Sequence, residues 1–198
     1  MIRSYIITAL RIIKRQKFFV LLNILGLSIG MASFILIMLW VNDEVSYEGF
    51  HKNKDQLYRI LTFEESATRS TYFSNNPLPL GPELMNRYPE IINYCRFDID
   101  RSRVKYNNKL FAENHFCYSD SSLFSMFTFT FLSGNPKTLF QDKESIAISE
   151  NIAKKYFNEK DPIGKILEVD GENTYVIRAI FKDVPSNSNI RFDFVAPI

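Results

Sequence analysis

Polar and apolar positions divide this chain sharply. From Phe18 to Val41 no Asp, Glu, Lys, Arg or His occurs. As a helix rising about 1.5 Å per residue, that run is about 36 Å long, enough to cross a hydrocarbon core of about 30 Å with some tilt. A cleaved secretory signal is a poorer reading, because its apolar region is only about 7–15 residues and ends in a small-x-small site. Here the run leaves through Leu39, Trp40, Val41, Asn42, Asp43 and Glu44.

Before that run, Ile2, Ile6, Ala9 and Ile13 recur at helical spacing, with Arg3, Arg11, Lys14 and Arg15 mostly off the stripe. The pattern predicts a basic amphipathic helix over residues 1–17 that lies on membrane lipid. Two roles for Arg3, Arg11, Lys14, Arg15 and Lys17 stay open: a flank that sets topology, or a surface for a cytoplasmic partner. Within the apolar run, Asn23, Gly26, Gly30 and Ser33 share one helix face, and Gly26 and Gly30 form a GxxxG pair. Small residues let helix backbones approach, so this face is expected to pack on another membrane helix; lipid-facing decoration is the alternative.

After the run the period changes. Leu57–Phe63 alternates like a strand, and Pro77, Pro79, Gly81 and Pro82 break the chain before a short helix over Glu83–Tyr88. Strands are expected over Ile91–Ile99, Val104–Tyr106, Leu110–Tyr118 and Phe127–Leu132, the middle two joined at Asn107-Asn108. Ser145–Ile148 reads as a strand feeding a helix at Glu150–Phe157, whose Ile152, Ala153, Tyr156 and Phe157 face inward. Lys165–Val169 and Thr174–Phe181 make a hairpin on Asp170-Gly171, and Phe192–Ala196 is a last strand. The class is α+β: one N-terminal transmembrane helix followed by a mixed extracytoplasmic domain. The organisation expected is 1–17 cytoplasmic head, 18–41 membrane helix and 42–198 exterior domain. Because the chain stops just after an apolar strand, that domain is expected to be truncated at its C-terminal end and to continue in a longer protein.

Charge then sets orientation. The whole chain carries 24 Lys+Arg against 22 Asp+Glu, but residues 1–17 hold five of the bases and no acid, which leaves 19 bases against 22 acids elsewhere. The basic flank precedes the span and Asp43, Glu44 and Glu48 follow it, so the N-terminus is expected in the cytoplasm and residues 42–198 outside. The near-neutral total does not suit nucleic-acid binding. An exterior segment of this size buries a core without help from disulfide or metal. Cys95 and Cys117 are the only cysteines. A tight turn over 106–109 sets Cys117 opposite Asp98 and leaves Cys95 off register, so two free thiols are favoured over a bridge.

Catalytic signatures are missing from the sequence. Gly164-Lys165 is the one Gly-Lys pair and lacks the rest of a phosphate loop, so no nucleotide hydrolysis is expected from this chain. Leu132-Ser133-Gly134-Asn135 reads as a turn. His51 and His115 lie 64 residues apart without metal-ligand spacing, and no GxSxG elbow occurs. No cofactor is expected. Asp98, Asp100, Arg101 and Arg103 read as a solvated strand end. Phe111, Phe116, Phe124, Phe127, Phe129 and Phe131 are expected in the core, with an apolar partner surface as the alternative.

Several ordered runs resemble one family. Asn23-Ile-Leu-Gly-Leu-Ser-Ile-Gly-Met-Ala32, Trp40-Val-Asn-Asp-Glu-Val-Ser-Tyr47 and Phe50-His-Lys-Asn-Lys-Asp-Gln-Leu-Tyr-Arg-Ile60 look like the opening of MacB/FtsX-type ABC transporter permeases. Ser145 to Phe157, Asp161-Pro-Ile-Gly-Lys165 and Lys182-Asp-Val-Pro-Ser-Asn-Ser188 look like that family's MacB-like periplasmic core domain. The resemblance implies a non-catalytic permease component in a bacterial inner membrane, coupling a partner ABC ATPase to a periplasmic domain for export or release of substrate. Implied partners are that ATPase, further permease helices or a second permease copy. Asp43, Glu44, Tyr47 and Phe50 would form a stalk carrying membrane motion into the domain. A departure is that the sequence ends before any second span. A single-span anchored binding or sensory module is the competing function.

Overall fold

The computed structural model describes residues 5, 11–66, 70–158 and 160–198 of the 198-residue chain. Arg3, Ile2, Ile6 and Ala9 of the expected head lie outside them. The chain forms two compact units, Met1–Tyr47 and Glu48–Ile198.

In the first unit, Arg11–Arg15 are helical and a long helix α1 follows over Lys17–Ser46. Its 30 residues reach about 45 Å, and it is long and apolar enough to cross a membrane. The helix passes the end of the apolar run: Asp43 and Glu44 sit in its last turn, Ser46 Oγ donates to the Asp43 carbonyl at 2.7 Å, and Tyr47 caps it.

In the second unit, the elements are β1 (Thr62–Glu65), β2 (Ser70–Phe73), α2 (Leu80–Arg87), β3 (Phe97–Tyr106), β4 (Lys109–Ser119), α3 (Leu123–Met126), β5 (Phe131–Ser133), β6 (Ser145–Ser149), α4 (Glu150–Phe157), β7 (Ile166–Val169), β8 (Asn173–Phe181) and β9 (Phe194–Pro197). β1 and β2 form a separate antiparallel pair, and the others form one sheet in the order β5-β8-β6-β9-β4-β3-β7. β7 also pairs with β8, so the sheet curls round on itself. The pairs β4/β9 and β6/β8 are parallel.

Strand alternation fills two cores. Phe116, Ile146, Ile148, Ile177 and Phe194 point to one face, where Ile152 and Phe157 of α4 cover them, joined by Ala153 and Tyr156. Cys117, Ala147, Ala179, Phe181 and Val195 point to the other, under Leu123 of α3, with Phe124, Phe127, Phe129 and Phe131 packed against them. Small residues on that face leave room for the rings. Thus the aromatic residues read as core mostly serve as core, though Phe111 instead packs at a tilt against Tyr156, with ring centroids 4.3 Å apart.

Turn chemistry follows the local sequence. Asn107, Asp170 and Gly171 all have positive φ, as tight hairpin turns need. Ser149 caps α4 by accepting from the Ile152 amide at 3.3 Å. Gly134, in the turn after β5, has φ +85, and a Cβ there would lie 2.4 Å from the Arg178 carbonyl oxygen.

The structure corrects several element readings. Leu57–Leu61 stays outside a sheet, and only Thr62–Glu65 finds a partner strand. Ile91–Arg96 is also irregular, because Arg96 is held by Asp120 and β3 starts after it. Of Phe127–Leu132, only Phe131 onward pairs with β8, since Phe127 and Phe129 turn inward as aromatic packing. In the β3/β4 hairpin the expected register holds from Tyr106↔Lys109 to Ser102↔Glu113, after which a bulge shifts it by one residue. Cys117 therefore faces Ile99 and not Asp98. Cys95 and Cys117 are free thiols, and burial pushes both up in pKa.

Candidate functional site

The chain enters the second unit through a hydrogen-bonded knot. Glu48 adopts φ +54, unusual for a residue with a side chain, and this bend turns its carboxylate onto the 187–190 loop. Its Oε1 accepts from the Asn189 amide at 2.6 Å, and the buried Ser188 hydroxyl donates to the same carboxylate at 3.0 Å. The Glu48 amide in turn donates to the Asn187 carbonyl at 3.0 Å. A segment that is about 140 positions distant in sequence is thereby tied to the first residue of the unit.

His51 carries the tie into the core. It is 2% exposed, and its Nδ1 accepts from the Thr128 amide at 3.0 Å. A backbone N–H can only donate, so the neutral ring holds its proton on Nε2. That nitrogen lies 3.1 Å from Glu48 Oε2, a polar contact without the alignment of a hydrogen bond. The ring packs among Phe50, Phe127 and Phe129 at centroid distances of 4.1, 5.2 and 5.6 Å. Burial lowers the His51 pKa, outweighing the opposing attraction of Glu48. Two further bonds staple the same segment: the Lys52 amide to Thr128 Oγ1 at 2.9 Å, and Asn53 Nδ2 to the Met126 carbonyl at 3.1 Å.

Three other polar clusters brace the sheet. Arg96 grips Asp120 through Nε and Nη2 at 2.9 and 2.7 Å, and gives its Nη1 to the Leu78 carbonyl. Burial opposes the charged form of Asp120, but the Arg96 hydrogen bonds outweigh it and hold the carboxyl below its usual range. Glu113 accepts from Lys155 Nζ and from the Tyr156 hydroxyl, both at 2.7 Å. Asp193 meets Ser149 Oγ at 3.1 Å and His115 Nδ1 at 3.3 Å, so the carboxylate, not the imidazole, faces the serine. A serine nucleophile needs the opposite order.

The expected membrane-packing residues Asn23, Gly26, Gly30 and Ser33 are all exposed on α1, and nothing lies within 4 Å of a Cβ built on Gly26 or Gly30. Arg11, Lys14 and Arg15 are helical and exposed, and Lys17 opens α1. Of the stalk set, Asp43, Glu44 and Tyr47 belong to the end of the first unit, while Phe50 packs at a tilt against His51 in the second. Sequence reasoning used Glu48 only as a charge following the span and Ser188 only as the end of a family-like run, weighed His51 for metal binding or histidine-based catalysis, and did not single out Thr128. One signal was present: the runs Phe50–Ile60 and Lys182–Ser188 adjoin or supply the two sides of this knot.

A sequence model of the MacB-like periplasmic core domain matches residues 20–198. The chain belongs to this family. A domain of a protein described as a candidate permease from Porphyromonas gingivalis is similar in structure, with a TM-score of 0.58 and 21% identity over 70% of this chain and 60% of that one. This likeness shows a shared fold, and the chain spans under two thirds of that domain's length. The periplasmic region of MacB from Actinobacillus actinomycetemcomitans aligns at TM-score 0.42 and 14% identity over 52% of this chain and 46% of that one. The extracellular domain of the noncanonic ABC-type transporter YknZ from Gram-positive bacteria aligns at TM-score 0.42 and 15% identity over 52% of both chains. A comparison with curated proteins finds no match.

Proposed function

We propose that this MacB-like periplasmic core domain belongs to the permease component of an ABC transporter, and that the Glu48–His51 knot receives the movement of the membrane helix. The supporting observation is the placement of the knot. Only Tyr47 separates the end of α1 from Glu48, whose carboxylate and backbone are tied across the domain to the 187–190 loop. A pull or twist arriving along the chain meets, from Glu48 onward, polar bonds that lead into the aromatic core. Asp43, Glu44, Tyr47 and Phe50 act in this reading as the stalk. Arg3, Arg11, Lys14, Arg15 and Lys17 keep the N-terminus cytoplasmic, near a partner ATPase that hydrolyses the nucleotide. The domain lies outside the inner membrane. The Asn23/Gly26/Gly30/Ser33 face packs on other permease helices or a second copy.

The test is purification from detergent-solubilised native membranes with an antibody against the exterior domain, followed by mass spectrometry. A stoichiometric ABC ATPase is the expected companion. Recovery of the chain alone would overturn the permease reading in favour of an anchored binding module.

A further inference from the structure

We propose that His51 makes the knot a proton-sensitive latch, closed when its imidazole is neutral and released when Nδ1 takes a proton. This rests on the reading of the 48–53 segment as the joint between membrane motion and domain.

The geometry leaves one role for each ring nitrogen. Nδ1 accepts the Thr128 amide at 3.0 Å, so a proton on Nδ1 sets one N–H against another and strips Thr128 of its partner. The ring cannot turn toward water, since it is 2% exposed and enclosed by Phe50, Phe127 and Phe129. Charged groups near it are few. Its own turn supplies Glu48, and the next residue is Lys52. The 126–129 segment brings no titratable side chain. The 186–191 loop brings Arg191, whose guanidinium is engaged by the Ser186 and Ser188 carbonyls. Glu48 attracts an imidazolium, but its carboxylate is also committed to Ser188 and Asn189. Burial is the larger effect and favours the neutral ring.

The release has a defined route. With Thr128 unpartnered, the Lys52 and Asn53 staples are the remaining bonds of this segment to 126–129, and both belong to exposed residues. Acidification below the ordinary histidine value of about 6.5 therefore loosens the entry segment while the sheet stays intact. An exterior domain meets the pH of the surroundings, so the latch would make coupling sensitive to external acid.

The experiment is amide hydrogen exchange by mass spectrometry on the full chain in lipid nanodiscs at pH 7.5 and 5.0, with rates corrected for intrinsic pH dependence. Peptides covering 48–53 and 126–129 should lose more than 10-fold in protection at the lower pH, while those covering 145–149 stay unchanged. In His51→Asn the amide oxygen can replace Nδ1 as acceptor and cannot be protonated, so the pH response should vanish. Equal protection at both values, or the same loss in His51→Asn, overturns the latch. A second readout needs no variant: the ¹⁵N shifts of labelled His51 should show an acceptor-type Nδ1 at pH 7.5, and a doubly protonated ring there also overturns it. Neither readout involves an ATPase, so the latch and the permease reading fail separately.

Discussion

Replacing Glu48 tests the knot directly. The Glu48→Ala change removes the acceptor for the Ser188 hydroxyl and the Asn189 amide and leaves both without that partner. Hydrogen bonds to a charged group contribute about 1.5–3 kcal/mol each. The Glu48 side chain is 29% exposed, so water recovers part of the loss, and the expected destabilisation is about 2–3 kcal/mol. The backbone provides an internal control. Glu48 sits at φ +54, where alanine retains the strain and glycine does not, so Glu48→Gly should be less destabilised than Glu48→Ala by about 1 kcal/mol. For a domain of this size, the alanine variant should melt about 5–10 °C lower. The assay is thermal unfolding of the full chain in detergent, followed by the strand signal in circular dichroism. Tryptophan fluorescence is unsuitable because the one tryptophan, Trp40, lies in α1. If both variants unfold within about 0.5 kcal/mol of the parent chain, Glu48 is not structural and the knot argument fails.

Other residues make separate predictions. Gly134→Ala drives a Cβ to 2.4 Å from the Arg178 carbonyl at φ +85, and should cost about 2–4 kcal/mol in urea unfolding. Gly164→Ala, with positive φ but open space, should cost about 1 kcal/mol; equal costs would remove the role of close packing at Gly134. Asp120→Asn should lower stability at pH 7 by about 2 kcal/mol. Because Arg96 lowers the Asp120 pKa in the fold, that advantage is present above the unfolded value of about 3.9 and is lost as pH falls through the folded one. Urea midpoints across pH should therefore converge in acid, and a constant gap would contradict the assignment. Changing Gly26 and Gly30 to Ile should abolish co-purification with the proposed permease partners while leaving the melt of the second unit unchanged; an undisturbed complex refutes the packing face. Reversing Arg11, Lys14 and Arg15 to Glu should scramble topology. Protease reaching the domain only from outside in that variant would show that these charges do not set it.

What could be read from the residues alone were properties with short range. The charge-free run from Phe18 to Val41 specifies a membrane-length helix because hydration cost depends on composition, not on partners. Glu150–Phe157 and the hairpin turns at Asn107 and Asp170-Gly171 were legible for a similar reason: cap and turn preferences act within a few positions. The two-face packing of β6 was foreshadowed by its unbroken apolar core, Ile146-Ala147-Ile148. Partnership was a different matter. Leu57–Leu61 alternates as well as Thr62–Glu65 does, yet only the latter finds a strand, since pairing depends on what else reaches that edge. The bulge that moved Cys117 opposite Ile99 arises where β3 and β4 must bend within a curled sheet. The knot lay furthest beyond sequence reading. Glu48, His51, Thr128 and Ser188 are spread over most of the domain, and each alone is an ordinary polar residue. Only closure of the sheet brings the 128 and 188 segments to the chain's entry, where burial and a carboxylate give the imidazole its role.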